Sequence, residues 1–166
     1  AGFNTVDLAS LSEAGQCITI VLMLIGGSPG STAGGMKTTT VAVLFATAIS
    51  TFRRQESGHF FGRRVDDDVV KNAATILVMY LALFFFGGLT ISIAEKLPML
   101  TCLFEAASAV GTVGLSLGIT PGLGIVSKII LVTLMFCGRV GGLTLIFAAL
   151  SGTQKNVSKF PREKVT

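Results

Sequence analysis

A short apolar run that ends in a glycine-containing stretch constrains the fold of this chain more than any other feature. Residues 99–110 would form about 18 Å of helix, too short for a hydrocarbon core of about 30 Å. The run must therefore enter the membrane and turn back. We predict a pore helix over residues 98–110 and a filter strand over 111–115, because a selectivity filter needs glycine where carbonyl oxygens replace an ion's water shell. The predicted filter residues are Thr112, Val113, Gly114 and Leu115.

The composition indicates that lipid surrounds the chain. Hydrophobic residues make up 51%, charged residues only 13%, and the mean hydropathy is +0.75. Several apolar runs are long enough to span, or nearly span, a bilayer. We therefore predict an all-α membrane protein whose first partner is the bilayer, with an outer helix over residues 72–94 and an inner helix over 125–150.

The basic residues indicate which side faces the cytoplasm. Most of the 13 lysines and arginines lie in a connector, residues 53–71, or in a tail, residues 151–166. The positive-inside rule places both segments in the cytoplasm. A tail that binds nucleic acid is the alternative, and we favour a cluster that flanks the membrane, with no nucleic-acid partner. The basic residues of the two segments are Arg53, Arg54, Arg63, Arg64, Lys71, Lys155, Lys159, Arg162 and Lys164.

The chain resembles itself at an offset of 112 residues. This offset pairs Gly2 with Gly114 and Gly26 with Gly138 without a gap. Internal repeats that enclose a transport site are common in membrane transporters. We therefore predict repeated units of helix, re-entrant pore loop and helix, with the end of one repeat over residues 1–52 and a complete repeat over 72–150. The second predicted filter strand contains Ala1, Gly2 and Phe3.

The apolar run over residues 14–52 is too long to be one helix in the membrane. Its 39 residues would rise about 58 Å, nearly twice the hydrocarbon thickness. Glycine, proline and hydroxyl residues interrupt it over 26–38, and irregular backbone at membrane depth must be buried in protein or line water. We predict a gating loop that projects into the pore, with an aqueous turn between two short helices as the alternative. A phosphate-binding loop is disfavoured because Met36 separates Gly35 from Lys37.

Three charged residues within the apolar runs are candidates for the mechanism. Arg139 is costly in lipid and should face the bundle interior, where it could hold carbonyls of the loop; bonding to helix-end carbonyls away from the pore is the alternative. Lys37 has either a gating role or a snorkelling position. Glu105 could accept hydrogen bonds from the backbone of the filter. The predicted gate comprises Gly26, Gly27, Gly30, Gly34, Gly35, Lys37 and Arg139.

Two other functional classes compete with an ion-translocating subunit. A simple tetrameric channel subunit would carry one helix, loop and helix unit per chain, whereas two different units are present here. A membrane-embedded enzyme is disfavoured because the sequence shows no catalytic triad, no metal cluster and no paired carboxylates. The three cysteines lack metal-ligand spacing, so we expect no transition-metal site. We predict that the chain is not an enzyme.

Five segments carry a family resemblance: Ala1-Gly2-Phe3-Asn4-Thr5, the loop 30–37, Phe61-Gly62-Arg63-Arg64, residues 105–118 and Gly138-Arg139-Val140-Gly141. Together they resemble the Trk/Ktr/HKT superfamily of potassium transporters over essentially the whole chain. The connector and the tail resemble most closely the C-terminal half of a Ktr-type membrane subunit. The resemblance implies four fused repeats around one pore, of which this chain holds the end of the third and the whole fourth.

The resemblance also implies roles and partners. Gly2 and Gly114 would be filter glycines that bind K⁺, supported by Asn4 and Glu105, and Arg139 would face the gating loop. K⁺ would be the transported ion, with Na⁺ as a coupling or competing ion, and the chain itself would need no cofactor. The implied partners are the N-terminal half of the same protein, a second copy in a homodimer and a cytoplasmic nucleotide-binding regulatory subunit of the RCK type. The implied location is the inner (plasma) membrane of a bacterium.

Overall fold

The computed structural model describes residues 2–53, 59–60, 63–64 and 66–140. Five α-helices dominate this part of the chain, which agrees with the predicted all-α class. Two 3-10 turns, Leu8–Ser10 and Thr120–Gly122, and one antiparallel pair of two-residue strands, β1 (His59–Phe60) and β2 (Arg63–Arg64), complete it. The helices are α1 (Glu13–Ile25), α2 (Thr38–Phe52), α3 (Asp67–Glu95), α4 (Met99–Val110) and α5 (Ile125–Val140).

Helix α3 is the one helix in the described ranges that is both long and apolar enough to cross a bilayer. Its 29 residues rise about 44 Å. The helix begins earlier than the predicted residue 72 because Asp67 and Asp68 occupy its first turn, where carboxylates interact favourably with the positive end of the helix dipole. Lys96, in the left-handed conformation, terminates the helix.

Helix α4 lies inside the bundle and contacts α1, α3 and α5. Its residues 104–110 are all buried, and a helix without a polar face belongs in an interior. Ala106, Ala107, Ser108 and Ala109 are small, which lets neighbouring helices approach closely. Glu105 is the charged exception, and its partners are described with the site.

Glycines set the distances between the helices of this bundle. A Cβ atom at Gly87 of α3 would lie 2.5 Å from Leu134 of α5, and one at Gly88 would lie 2.6 Å from Leu103 of α4. A Cβ atom at Gly138 of α5 would lie 2.0 Å from the carbonyl oxygen of Val110. Helix α5 therefore packs directly against the C-terminal end of α4, where the predicted filter begins.

The chain leaves helical geometry between α1 and α2, within the interval predicted from the sequence. Gly26 follows α1 with φ 69° and ψ −160°, a region that essentially only glycine adopts. The loop then returns to the end of α1: the Met36 amide donates to the Leu24 carbonyl (3.3 Å) and the Thr38 amide to the Gly27 carbonyl (3.1 Å). Its last part, residues 34–36, is buried.

Several predictions from the sequence lie outside the described residues. They concern Ala1 of the first filter strand, residues 141–150 of the inner helix, and the cytoplasmic tail 151–166. Of the connector, the structure describes residue 53, the β1 and β2 pair, and residues 66–71.

Candidate functional site

The predicted filter begins at the turn that ends α4. The amide of Thr112 donates to Ala109 O (3.1 Å) and the amide of Val113 to Ser108 O (2.9 Å), the two hydrogen bonds of a Schellman motif. Thr112 occupies the left-handed position of this motif, with φ 52°. Glycine is usual there, and a β-branched residue in this conformation costs about 1–3 kcal/mol. The negative end of the α4 dipole lies beside this segment and favours a cation.

The two glycines predicted to line the filter lie against each other. Gly2 and Gly114 are separated by most of the chain, yet a Cβ atom at Gly2 would lie 2.3 Å from the carbonyl oxygen of Gly114. Gly2 has φ 69° and Gly114 has φ 85°. The structure therefore brings the two predicted filter strands together at their glycines. Phe3, next to Gly2, is exposed.

Glu105 fixes the segment that follows residues 111–115. Its Oε1 accepts hydrogen bonds from the Ser116 hydroxyl (2.7 Å) and the Leu117 amide (2.9 Å), and its Oε2 accepts one from the Thr120 hydroxyl (2.9 Å). The side chain is buried, with 4% exposure, and hydrogen bonds to carboxylates are among the strong ones. The partners named here follow the filter strand rather than belonging to it.

Asn4, the second residue expected to support the filter, takes part in a local turn. Its side-chain amide donates to the carbonyl of Val6 at 2.9 Å, and the residue is exposed.

The glycine-rich loop is hydrogen-bonded to the filter segment. The amide of Gly34 donates to Thr112 Oγ1 at 2.7 Å, the short end of the range for N–H···O bonds. A Cβ atom at Gly34 would lie 2.5 Å from that oxygen, and one at Gly35 would lie 3.4 Å from the Cα of Gly111. The absence of side chains at these loop residues therefore lets the loop pack directly onto the end of α4.

Two positively charged side chains donate hydrogen bonds to successive carbonyl oxygens of the loop. The Arg139 guanidinium of α5 donates to Thr32 O, and Lys37 Nζ donates to Ala33 O at 2.5 Å. Arg139 thus binds a loop carbonyl from helix α5, whereas Lys37 folds back onto a carbonyl within its own loop. Tyr80, on α3, supports the end of α5 by donating its buried hydroxyl to Gly138 O (3.3 Å).

Two open cavities flank the filter segment. One of about 480 Å³ separates it from the end of α1 and the start of the loop. The other, of about 610 Å³, lies between the filter and α5 and includes Glu105, Gly114 and Arg139. Thr112 lines both cavities and therefore lies between them.

The sequence did not predict which backbone atoms of the loop form these hydrogen bonds. Nothing in the residue types distinguishes Thr32 O, Ala33 O or the Gly34 amide from their neighbours. The one available signal was a threonine directly after a helix-terminating glycine, at a position where a second glycine would be easier to accommodate.

An interrupted helix, a short buried helix and a glycine-containing turn beside a loop bound by Arg139 and Lys37 are typical of an all-α membrane protein. The sequence profile described as "TrkH: Cation transport protein" matches residues 1–159, and the chain belongs to this family. The predicted resemblance is therefore confirmed. So is the prediction that the chain is not an enzyme, because its relatives are cation transport proteins.

Curated relatives match nearly the whole chain. It is 36% identical over 165 residues to the Ktr system potassium uptake protein B of Bacillus subtilis, covering 99% of this chain and 37% of the relative. It is 36% identical over 171 residues to the potassium/sodium uptake protein NtpJ of Enterococcus hirae (99% and 38%). The Ktr system potassium uptake protein B of Vibrio alginolyticus is 35% identical over 165 residues (99% and 36%). The chain thus spans little more than a third of these relatives.

Proposed function

We propose that this chain is the C-terminal part of a potassium-translocating membrane subunit, comprising the end of a third pore repeat and a complete fourth repeat. The contact between Gly2 and Gly114 carries this proposal, because it joins two separate predicted filter strands at the residues where carbonyl oxygens must face an ion. K⁺ is the proposed transported ion, with Na⁺ as a coupling or competing ion. The names of the relatives, which include potassium and potassium/sodium uptake proteins, support this assignment.

The loop at residues 26–38 is the proposed gate. Arg139 of α5 donates to its Thr32 carbonyl and Thr112 accepts from its Gly34 amide, while Lys37, within the loop, donates to Ala33 O. A loop tethered to α5 by Arg139 and to the filter segment by Thr112 would obstruct the ion path, and the fixed charge of Arg139 would raise the barrier to a cation. Release of the Arg139 contact is therefore expected to favour the open state.

The proposed surroundings follow from the surface and from the family. Large apolar side chains on α3 and α5, such as Phe86 and Val132, are exposed, as expected of surfaces that face lipid or the remaining repeats. The proposed partners are the N-terminal half of the protein, a second copy in a homodimer and a cytoplasmic nucleotide-binding subunit of the RCK type. The proposed location is the inner (plasma) membrane of a bacterium.

Ion uptake into proteoliposomes that contain the full-length protein tests both parts of this proposal. We expect ⁸⁶Rb⁺ uptake that K⁺ inhibits more strongly than Na⁺. Arg139→Ala should raise uptake about tenfold, because a hydrogen bond to a charged group is typically worth ~1.5–3 kcal/mol. Lys128→Ala is the matched control: this cation lies on the same helix but donates to Pro121 O, away from the loop.

Two results would contradict the proposal separately. Absence of Rb⁺ uptake by the wild-type protein would contradict potassium translocation. Unchanged uptake in Arg139→Ala, and also in a variant with residues 26–35 shortened, would remove the loop and Arg139 from the gate while leaving the transport function in place.

A further inference from the structure

We propose that the gating loop and the permeating cation compete for the Thr112 hydroxyl, which is called the latch below. In the state seen here its oxygen accepts the Gly34 amide; in the open state the same oxygen would coordinate K⁺ at the inner end of the filter. This inference rests on the proposed function, because it assigns a regulation to the same filter and loop.

The residue type at position 112 is the first argument. The Schellman motif that ends α4 needs a left-handed residue there, and glycine would adopt this conformation without strain. The chain instead has threonine at φ 52°. Its side chain must therefore supply something that glycine cannot, and its hydroxyl binds the loop.

The chemistry of the hydroxyl is the second argument. A threonine oxygen has two lone pairs, which accept either hydrogen bonds or a hard cation. The Gly34 amide points a partial positive charge at this oxygen from 2.7 Å. A cation at the same oxygen would be repelled by that N–H group, so loop binding and ion binding oppose each other.

Contacts of the neighbouring loop residues keep the Gly34 amide opposite the Thr112 hydroxyl. Arg139 binds Thr32 O and Lys37 binds Ala33 O, the two residues directly before Gly34. Because coupling between sites is reciprocal, whatever strengthens these loop contacts should weaken cation binding at Thr112, and K⁺ at Thr112 should loosen the loop.

Hydrogen–deuterium exchange of the loop peptide in the purified full-length protein tests the latch. In choline chloride the wild-type peptide containing Gly34 should exchange slowly, and KCl should accelerate it about fivefold, the factor for loss of one ordinary hydrogen bond. Thr112→Val keeps the branched shape but lacks the acceptor, so exchange should be fast with either salt. Thr112→Ser keeps the hydroxyl and should restore slow exchange that responds to KCl.

A second variant disrupts the hydrogen bond between Gly34 and Thr112 by changing the loop and leaving Thr112 unchanged. Gly34→Ala would place a Cβ atom 2.5 Å from Thr112 Oγ1, and φ of Gly34 lies outside the left-handed range, so the clash acts without backbone strain. This variant should also exchange fast with either salt. It provides the test if Thr112→Val does not fold.

Parallel ⁸⁶Rb⁺ uptake separates failure of the latch from failure of the proposed function. Two results, each obtained with normal wild-type uptake, would overturn the latch alone. In the first, KCl does not change exchange of the wild-type loop; in the second, exchange of the loop stays slow in both Thr112→Val and Gly34→Ala. Absence of wild-type uptake would overturn the proposed function and the latch with it.

Discussion

Gly26 and Gly138 lie 112 residues apart, one at the start of the proposed gating loop and the other directly before Arg139. The structure requires glycine at these two positions for different reasons. At Gly26 helix α1 stops, and the backbone adopts φ 69° and ψ −160°. At Gly138 helix α5 continues, and the missing side chain admits the carbonyl of Val110, which a Cβ atom would approach to 2.0 Å. One glycine provides a conformation and the other provides space, so a match between repeats does not imply a shared structural role.

The residues that follow these glycines extend the difference. Gly27 lies near the start of the loop, whereas Arg139, which the 112-residue offset pairs with it, donates to that loop at Thr32 O. The broken helix therefore contributes the mobile part of the proposed gate, and the continuous helix contributes the charge that holds it. In the proposed gate the two helices therefore have different roles, although the sequence predicts that they belong to matching repeats.

Gly138→Ala is expected to have a large effect on stability. The added Cβ atom would meet a backbone oxygen, which cannot move aside as a side chain can, so we expect a loss of at least ~2 kcal/mol. Thermal unfolding of the full-length protein in detergent measures it. Gly122→Ala is the matched control, since a Cβ atom there meets nothing within 4 Å. Equal unfolding temperatures for the two variants would contradict the close approach of α5 to α4.

Gly26→Ala should destabilise the protein more than Gly30→Ala. Both residues have positive φ, but Gly26, with ψ −160°, lies in a region that essentially only glycine adopts and that costs other residues about 1–3 kcal/mol. Only at Gly26 would the Cβ atom also clash, at 2.3 Å from Met36 O, whereas Gly30 faces open space. The difference between the two unfolding temperatures measures the clash and the added backbone strain at Gly26, and a Gly30→Ala variant as unstable as Gly26→Ala would contradict the close approach of Gly26 to Met36 O.

Local patterns made much of this fold predictable from the sequence. Hydropathy and glycine content located the interruption of the 14–52 run, since a polar, glycine-rich segment cannot remain helical in lipid. The start of α3 was placed too late because hydropathy ignores Asp67 and Asp68, which begin the helix while lying outside the apolar run.

The site was less predictable because its contacts join distant segments. Residue type suggested that Glu105 would bind the backbone of the filter itself, but its partners at residues 116, 117 and 120 follow the filter and depend on how the chain turns afterwards. The partner of Arg139 is a backbone oxygen, which the sequence does not mark. The roles assigned to Ala1 and to residues 141–166 remain predictions from the sequence.

The central claim is that Gly114 belongs to an ion filter, and selectivity of uptake tests it most directly. Gly114 and Gly118 are both exposed and have φ 85° and 87°, so serine at either position meets similar backbone strain. We would measure K⁺ and Na⁺ competition against ⁸⁶Rb⁺ uptake by the full-length protein carrying Gly114→Ser or Gly118→Ser. We predict that Gly114→Ser loses the preference for K⁺ while Gly118→Ser retains it. Retention of the preference by both variants would contradict a filter at Gly114.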